Sequence, residues 1–217
     1  MNPTIESLKS RLRSVERDLD ARLIKSRRQF EYSLVNGKAV FTRAARKRHA
    51  ELKKSLVATL ADARVRNLIA APFIYAVFFP IAVLDVFVSM YQAICFRLWR
   101  IPLVRRSEYV IVDRHRLPYL NAIQKLNCAY CGYANGVMSY VSEVAARTEQ
   151  YWCPIKHALS VKQPHGRYLS FIEYGDANDL QNRIGEQRDA LCCDDQQDTS
   201  NTKRTPICEA PLPTATD

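Results

Sequence analysis

Residues 68–96 read LIAAPFIYAVFFPIAVLDVFVSMYQAICF, and Asp85 is the one charge in those 29 residues. A helix needs about 20 apolar residues, at about 1.5 Å each, to cross a hydrocarbon core of about 30 Å. The stretch is long enough to cross once. It is too short to cross twice, because each half would reach only about 20–22 Å. Pro72 and Pro80 sit awkwardly in one straight helix. A carboxylate at mid-depth costs about 2.5–3.5 kcal/mol on insertion scales. Asp85 is therefore expected at the bend of a hairpin, paired with a neighbouring group, or as a functional intramembrane acid. Basic residues flank both ends, with Arg64 and Arg66 before and Arg97, Arg100, Arg105 and Arg106 after. This symmetry gives a single span no orientation. Three readings stay open: a re-entrant hairpin with both flanks cytoplasmic, a single span, and the core of a soluble domain. The first two place the chain at a membrane. Tyr91, Trp99 and the arginines that follow read as interfacial anchors, and Cys95 as a small buried apolar residue.

The rest of the chain is basic. The formal net charge is +10. From Asp176 onward nine acids face four bases, so the tail carries about −5 and the remainder about +15. A basic body suits an anionic partner, lipid headgroups or nucleic acid. Residues 1–35 read as a helix, because Ile5, Leu8, Leu12, Val15 and Leu19 alternate spacings of three and four. That stripe suits packing on the next helix of the chain, or a coiled coil with a protein partner. Asn36-Gly37 is a turn signal. Phe30, Tyr32, Leu34 and Val40 around it also allow a short β-hairpin. Residues 39–66 return to helical spacing through Phe41, Ala45, Leu52, Leu56, Leu60 and Ala63. Their many arginines and lysines fit an anionic surface or a solvated face. Few aromatics interleave the basic runs, which counts against nucleic acid.

The third feature is CAYCGYANGVMSYVSEVAARTEQYWCPIKH, from Cys128 to His157. C-x2-C followed by Gly132 predicts a tight turn with two sulfurs on one side. Cys153, Pro154 and His157 follow a helix expected over 135–151, where Glu143 and Arg147 are i,i+4 partners. Three thiolates and one imidazole suit a closed tetrahedral zinc site, so Cys128, Cys131, Cys153 and His157 are the candidate ligands. An iron or iron–sulfur centre, a Cys128–Cys131 redox pair and incidental cysteines are the alternatives. His165 is placed on a loop that reaches the metal or lies on the surface. His115 with Asp113 is a second-metal or capping candidate. Glu143 and Glu149 read as acid–base groups or as helix-surface partners. Upstream, Tyr109–Asp113 is β-branched and predicts a strand, and 117–126 predicts a helix with Pro118 in its first turn. The first 20 residues are charged, without a signal-peptide core, so reduced cytoplasmic thiols are expected for the seven cysteines. No phosphate-cradling glycine loop, HExxH or G-x-S-x-G occurs. The polar tail from 176 to 217, with Cys192, Cys193 and Cys208, reads as disordered.

Several of these segments resemble a family of bacterial membrane-associated proteins without an established activity. They are Tyr109–His115, Tyr119–Ile123, Lys125–Cys128 and the CxYCxYxNG…RTExxWCPIKH pattern. The resemblance implies a bacterial membrane setting and adds no mechanism. The expected architecture is mainly α. A basic helical arm (1–66) precedes a membrane-embedded hairpin or single span (67–100). A small Cys/His metal module with one short strand (101–175) and a disordered acidic tail (176–217) follow. The expected role is a scaffold or adaptor at the inner membrane, carrying structural zinc on its cytoplasmic side. A membrane-surface oxidoreductase using iron or a thiol centre is the alternative.

Overall fold

A computed structural model describes residues 3–35, 38–61 and 64–199. The chain is mainly helical and forms two compact units. The first comprises Met1–Asn67 and Val112–Tyr130, the second Leu68–Ile111 and Cys131–Asp217. The segment expected to form one metal module, 101–175, therefore contributes to both units.

In the first unit α1 (Pro3–Gln29) is followed by an antiparallel hairpin of β1 (Tyr32–Val35) and β2 (Lys38–Phe41). Its register pairs Tyr32 with Phe41 and Val35 with Lys38. The first helix thus stops at residue 29 rather than 35, and the hairpin alternative is the one formed. The expected turn residues, Asn36 and Gly37, lie outside the described residues, as do the side chains of Ile5, Leu8 and Leu12. Glu31 ends the helix with a left-handed backbone, φ 53°, a conformation that costs a non-glycine residue about 1–2 kcal/mol. Its side chain offsets that cost. One carboxylate oxygen accepts from Thr42 Oγ1 at 3.0 Å and the other from Arg48 Nη2 at 2.7 Å. Thr42 also caps α2 (Arg43–Glu51), accepting from the Ala45 amide at 3.2 Å. The helix expected over 39–66 is broken, since α2 stops at Glu51 and α3 spans only Leu56–Ala61.

In the second unit α4 (Val65–Ala76, which begins in the first) is followed by α5 (Phe78–Tyr91) and a π-helical turn, Gln92–Phe96. Proline explains the break between α4 and α5. Pro80 has no amide for the Ala76 carbonyl and its ring crowds that oxygen. α4 accordingly ends at Ala76, and Pro80 falls in the first turn of α5, where it is tolerated. Val77 between them keeps helical angles, φ −64° and ψ −18°, so the chain does not reverse there. Asp85 lies inside α5, and the hairpin bend expected at it is absent. A short α6 (Arg106–Tyr109) occupies the start of the expected strand. Val110 bonds back to the Arg106 carbonyl at 2.9 Å instead of to a neighbouring strand.

α7 (Ala122–Trp152) is one helix of 31 residues, where two helices and an intervening cysteine turn were expected. A reciprocal cap starts it. The Asn121 side chain accepts from the Gln124 amide, and Gln124 accepts from the Asn121 amide, both at 3.0 Å. Asn121 is buried, and its Nδ2 donates to Thr59 Oγ1 at 2.7 Å. The core of the second unit gathers Phe96, Ile101, Val104, Tyr140 and Val144. Part of the tail is ordered too. α8 (Leu180–Thr199) is helical, Leu191 is buried, and Arg188 donates to the Tyr151 carbonyl while lying 4.7 Å over its ring. Residues 200–217, including Cys208, lie outside the described residues, as does the side chain of Cys193.

Candidate functional site

Asp85, Ser89 and Gln92 follow one another at helical spacings of four and three, so they share one face of α5 and its π turn. That face turns inward, toward α7 and the segment 102–106. Arg106 forks onto Asp85, with Nε on Oδ1 at 2.9 Å and Nη2 on Oδ2 at 2.6 Å. This is the two-bond geometry that makes arginine–carboxylate pairs strong. Tyr133 Oη donates to the same carboxylate at 2.9 Å. Burial, and next the bonded Asp85 carboxylate, raise the Tyr133 phenol above its ordinary value, so the proton stays on tyrosine. Of the three expectations for Asp85, pairing with a neighbour is the one the structure realises.

One turn on, Ser89 Oγ and Tyr140 Oη stand 3.3 Å apart. Gln92 is buried, and its amide pairs with the Val104 backbone as a second strand would. Oε1 accepts from Val104 N at 3.0 Å, and Nε2 donates to Val104 O at 3.2 Å. Nε2 also reaches Tyr140 Oη at 2.6 Å. The π turn starts at this residue; such turns frequently mark functional positions. Tyr91 points inward as well, its hydroxyl 3.0 Å from Thr148 Oγ1, and Trp99 stacks on Tyr151. Of the residues expected to be interfacial anchors, Tyr91 and Trp99 thus pack within the unit, while Arg97 and Arg100 are exposed.

The other faces of the same helices are apolar and open. Phe73, Phe79, Val86 and Phe87 are each 60% or more exposed. The run Val65–Phe96 has a mean hydropathy of 2.2 over its most apolar window, of which 11% is buried. A helix with its acid, amide and hydroxyl inside and its phenylalanines outside reverses the pattern of a water-soluble surface helix.

The four candidate metal ligands are not gathered into one group. Cys128 and Cys131 lie within α7, one turn from each other, the first half-buried and the second exposed. Cys153 follows the other end of the helix, where its amide bonds the Glu149 carbonyl at 2.8 Å. The 22 residues between Cys131 and Cys153 rise about 33 Å along a helix. Ligand distances in a zinc site are about 2.0–2.3 Å, so one ion cannot touch both ends. His157 stacks on Tyr168, its Nδ1 3.3 Å from the phenol oxygen. Among the described residues no group of three or more His, Cys, Asp or Glu is placed to hold a metal ion.

A cluster toward the end of α7 replaces it. Glu143 accepts from Arg147 at 2.9 Å, the expected i,i+4 pair, and from Arg167 at 3.0 Å. All three side chains are mostly buried, rather than on a solvated helix face. Arg167 also donates to Gln150 at 3.0 Å, and Arg147 to the Pro102 carbonyl at 2.8 Å. His165 pairs with Glu149 at 3.0 Å. The loop histidine therefore reaches a carboxylate on α7 rather than a thiolate site. Arg167 had no sequence signal, because its partner lies 24 residues away. Gly136 presses α7 against the neighbouring segment: a Cβ there would meet Tyr109 O and Val110 Cα at 2.7 Å. Asp85 with Arg106, and Glu143 with Arg147 and Arg167, are paired by protein side chains, while Nδ1 of His165, beside Glu149, is buried without a hydrogen-bond partner. Comparison with family models, curated proteins and solved structures finds no match to this chain.

Proposed function

We propose that the protein is bilayer-associated, held in lipid by α4 and α5, and acts as a non-enzymatic scaffold or adaptor. The observation that carries this reading is the inverted helix. The Asp85–Ser89–Gln92 face is satisfied from within, while Phe73, Phe79, Val86 and Phe87 are exposed among the described residues. The segment 67–84 alone, 18 residues without a charge, rises about 27 Å, close to a hydrocarbon thickness of about 30 Å. Asp85 and its arginine then lie where the apolar run meets polar surroundings. A bacterial inner membrane is the setting implied by the resemblance of the 109–157 segments. Zinc is not carried into this reading, because Cys131 lies within α7 and Cys153 beyond its last residue, about 33 Å further along. The oxidoreductase alternative, at the same cysteines, keeps only the Cys128–Cys131 pair, which stands one turn apart on α7.

The test is membrane retention of the full chain. Wild-type protein resists alkaline carbonate extraction and floats with lipid. Phe73→Asp with Phe79→Asp adds two carboxylates, each costing about 2.5–3.5 kcal/mol at mid-depth on insertion scales, and releases the chain. Wild-type protein that is fully extracted by carbonate and monomeric without detergent contradicts the proposal.

A further inference from the structure

The first unit holds a feature that the membrane reading does not use. An open cavity of about 560 Å³ lies between α1, the hairpin, α2 and the 113–119 segment. Its size falls in the range of small-molecule sites. Four of the rings lining it touch in sequence. Tyr32 and Phe41 are 5.6 Å apart between centroids, Phe41 and His49 5.2 Å, and His49 and Tyr119 5.3 Å. Phe30 and Leu52 extend this apolar wall and are exposed. Arg114 and Arg116 stand in the same lining. Arg116 also lines an adjoining recess with Lys38, Arg46 and His115. Asp113 is the one acid in either lining, and no ion pair ties Arg114 or Arg116 to an acid among the described residues. Nδ1 of His49 and Nδ1 of His115 are buried without a hydrogen-bond partner, a situation that calls for a physical reason in a native structure.

We infer that this cavity binds an anionic amphiphile, with its phosphate or carboxylate head against Arg114 and Arg116 and its hydrocarbon on the aromatic wall. Charge and lining argue together for that class. Arginines that outnumber the one acid and are in no ion pair among the described residues attract an anion, and arginine binds phosphate and carboxylate through a matching fork. Rings and aliphatic carbon favour an apolar body behind the head. A nucleotide fits less well. The rings meet at 42–89° rather than in parallel, so they offer no slot for a base. The choice of a lipid-like body leans on the bilayer reading; the binding itself is separable from it.

The test uses the full chain in phosphatidylcholine nanodiscs and equilibrium dialysis of dihexanoyl phosphatidylglycerol below its micelle concentration. Dihexanoyl phosphatidylcholine, glycerol phosphate and adenosine monophosphate are run in parallel. The expected result is saturable one-to-one binding of the anionic lipid above empty discs, and at least ten-fold weaker binding of the other three. Arg114→Gln with Arg116→Gln weakens binding at least ten-fold, and Ser26→Phe, which fills the cavity without changing charge, does the same. Flotation of both variants is unchanged, which separates this site from the membrane anchor. Discs that contain phosphatidylglycerol displace the probe if the occupant comes from the bilayer, and leave it bound if a dissolved amphiphile is the occupant; either result supports the site. Binding that is no greater than to empty discs, is unaffected by the variants, or prefers adenosine monophosphate overturns the inference.

Discussion

Replacing Arg106 by glutamine isolates the interaction that allows an acid on an apolar helix. The Asp85 side chain is 9% exposed and that of Arg106 43%. Removing one partner of a fully buried pair costs about 3–5 kcal/mol, because the other charge is left uncompensated. Solvent around Arg106 lowers that figure. Tyr133 still donates to the carboxylate. We expect a loss of about 2 kcal/mol, between the buried and exposed limits. The assay is denaturant unfolding in a mild detergent, followed by Trp99, whose ring packs on Tyr151 and Trp152 in the same unit. Arg105→Gln is the control. Its contact with Glu108 is 3.4 Å long between exposed side chains, and its loss changes stability by less than about 0.5 kcal/mol. Asp85→Leu combined with Arg106→Gln costs less than the two single substitutions summed, giving a coupling of at least about 1 kcal/mol. Equal effects of Arg106→Gln and Arg105→Gln, or no coupling in the double variant, refute the reasoning.

Further expectations concern other parts of the fold. Gly136→Ala places a methyl 2.7 Å from backbone atoms of Tyr109 and Val110. Neither atom is at a flexible side-chain end, so the same unfolding assay should register a loss of about 1–3 kcal/mol. The Glu31 carboxyl lies below its ordinary value of 4.5, first because Arg48 hydrogen-bonds it and then because Thr42 does. Its contribution is present in full above about pH 4.5 and lost as pH falls through the lower folded-state value. The amides of Thr42 and Ala45, corrected for intrinsic rates, should exchange faster at pH 3 than at pH 6; equal protection counts against the link. Cys131→Ser and Cys153→Ser should not abolish the same equivalent of zinc. Elemental analysis showing one zinc per chain, lost in both variants, contradicts the separation of these two cysteines by the length of α7 that lies between them.

The apolar run was legible because length and hydropathy decide it without tertiary context. Its inner face was legible only in part. The spacing of Asp85, Ser89 and Gln92 marks a shared face, but nothing local identifies Arg106 as the partner, 21 residues downstream. The cysteine turn failed for a reason that was available. C-x-x-C also fits one turn of helix, with two sulfurs on the same side, and glycine costs only about 1 kcal/mol in a helix interior. Long helical context on both sides outweighed Gly132 and Gly136, and the close approach at Gly136 explains a glycine there. Asn121-x-x-Gln124 is a capping signal that places the helix start correctly; Pro118 drew the boundary too early. The β-branched residues 110–112 favour a strand only if a partner exists, and the hydrogen bonds of Val110 and Ile111 run to local carbonyls. Charge alone made 180–199 look unstructured. Gln187 and Arg188, which bind the Gln150 and Tyr151 side of α7, are contacts that composition does not encode.

Spin-label accessibility along α4 and α5 in reconstituted bilayers tests the membrane assignment most directly. Labels at Phe73, Phe79 and Val83 should collide readily with dissolved oxygen and poorly with a water-soluble nickel chelate. A label at Ser89, on the face turned to Tyr140, should be shielded from both. High nickel accessibility along the whole series would place those phenylalanines in water and contradict the account.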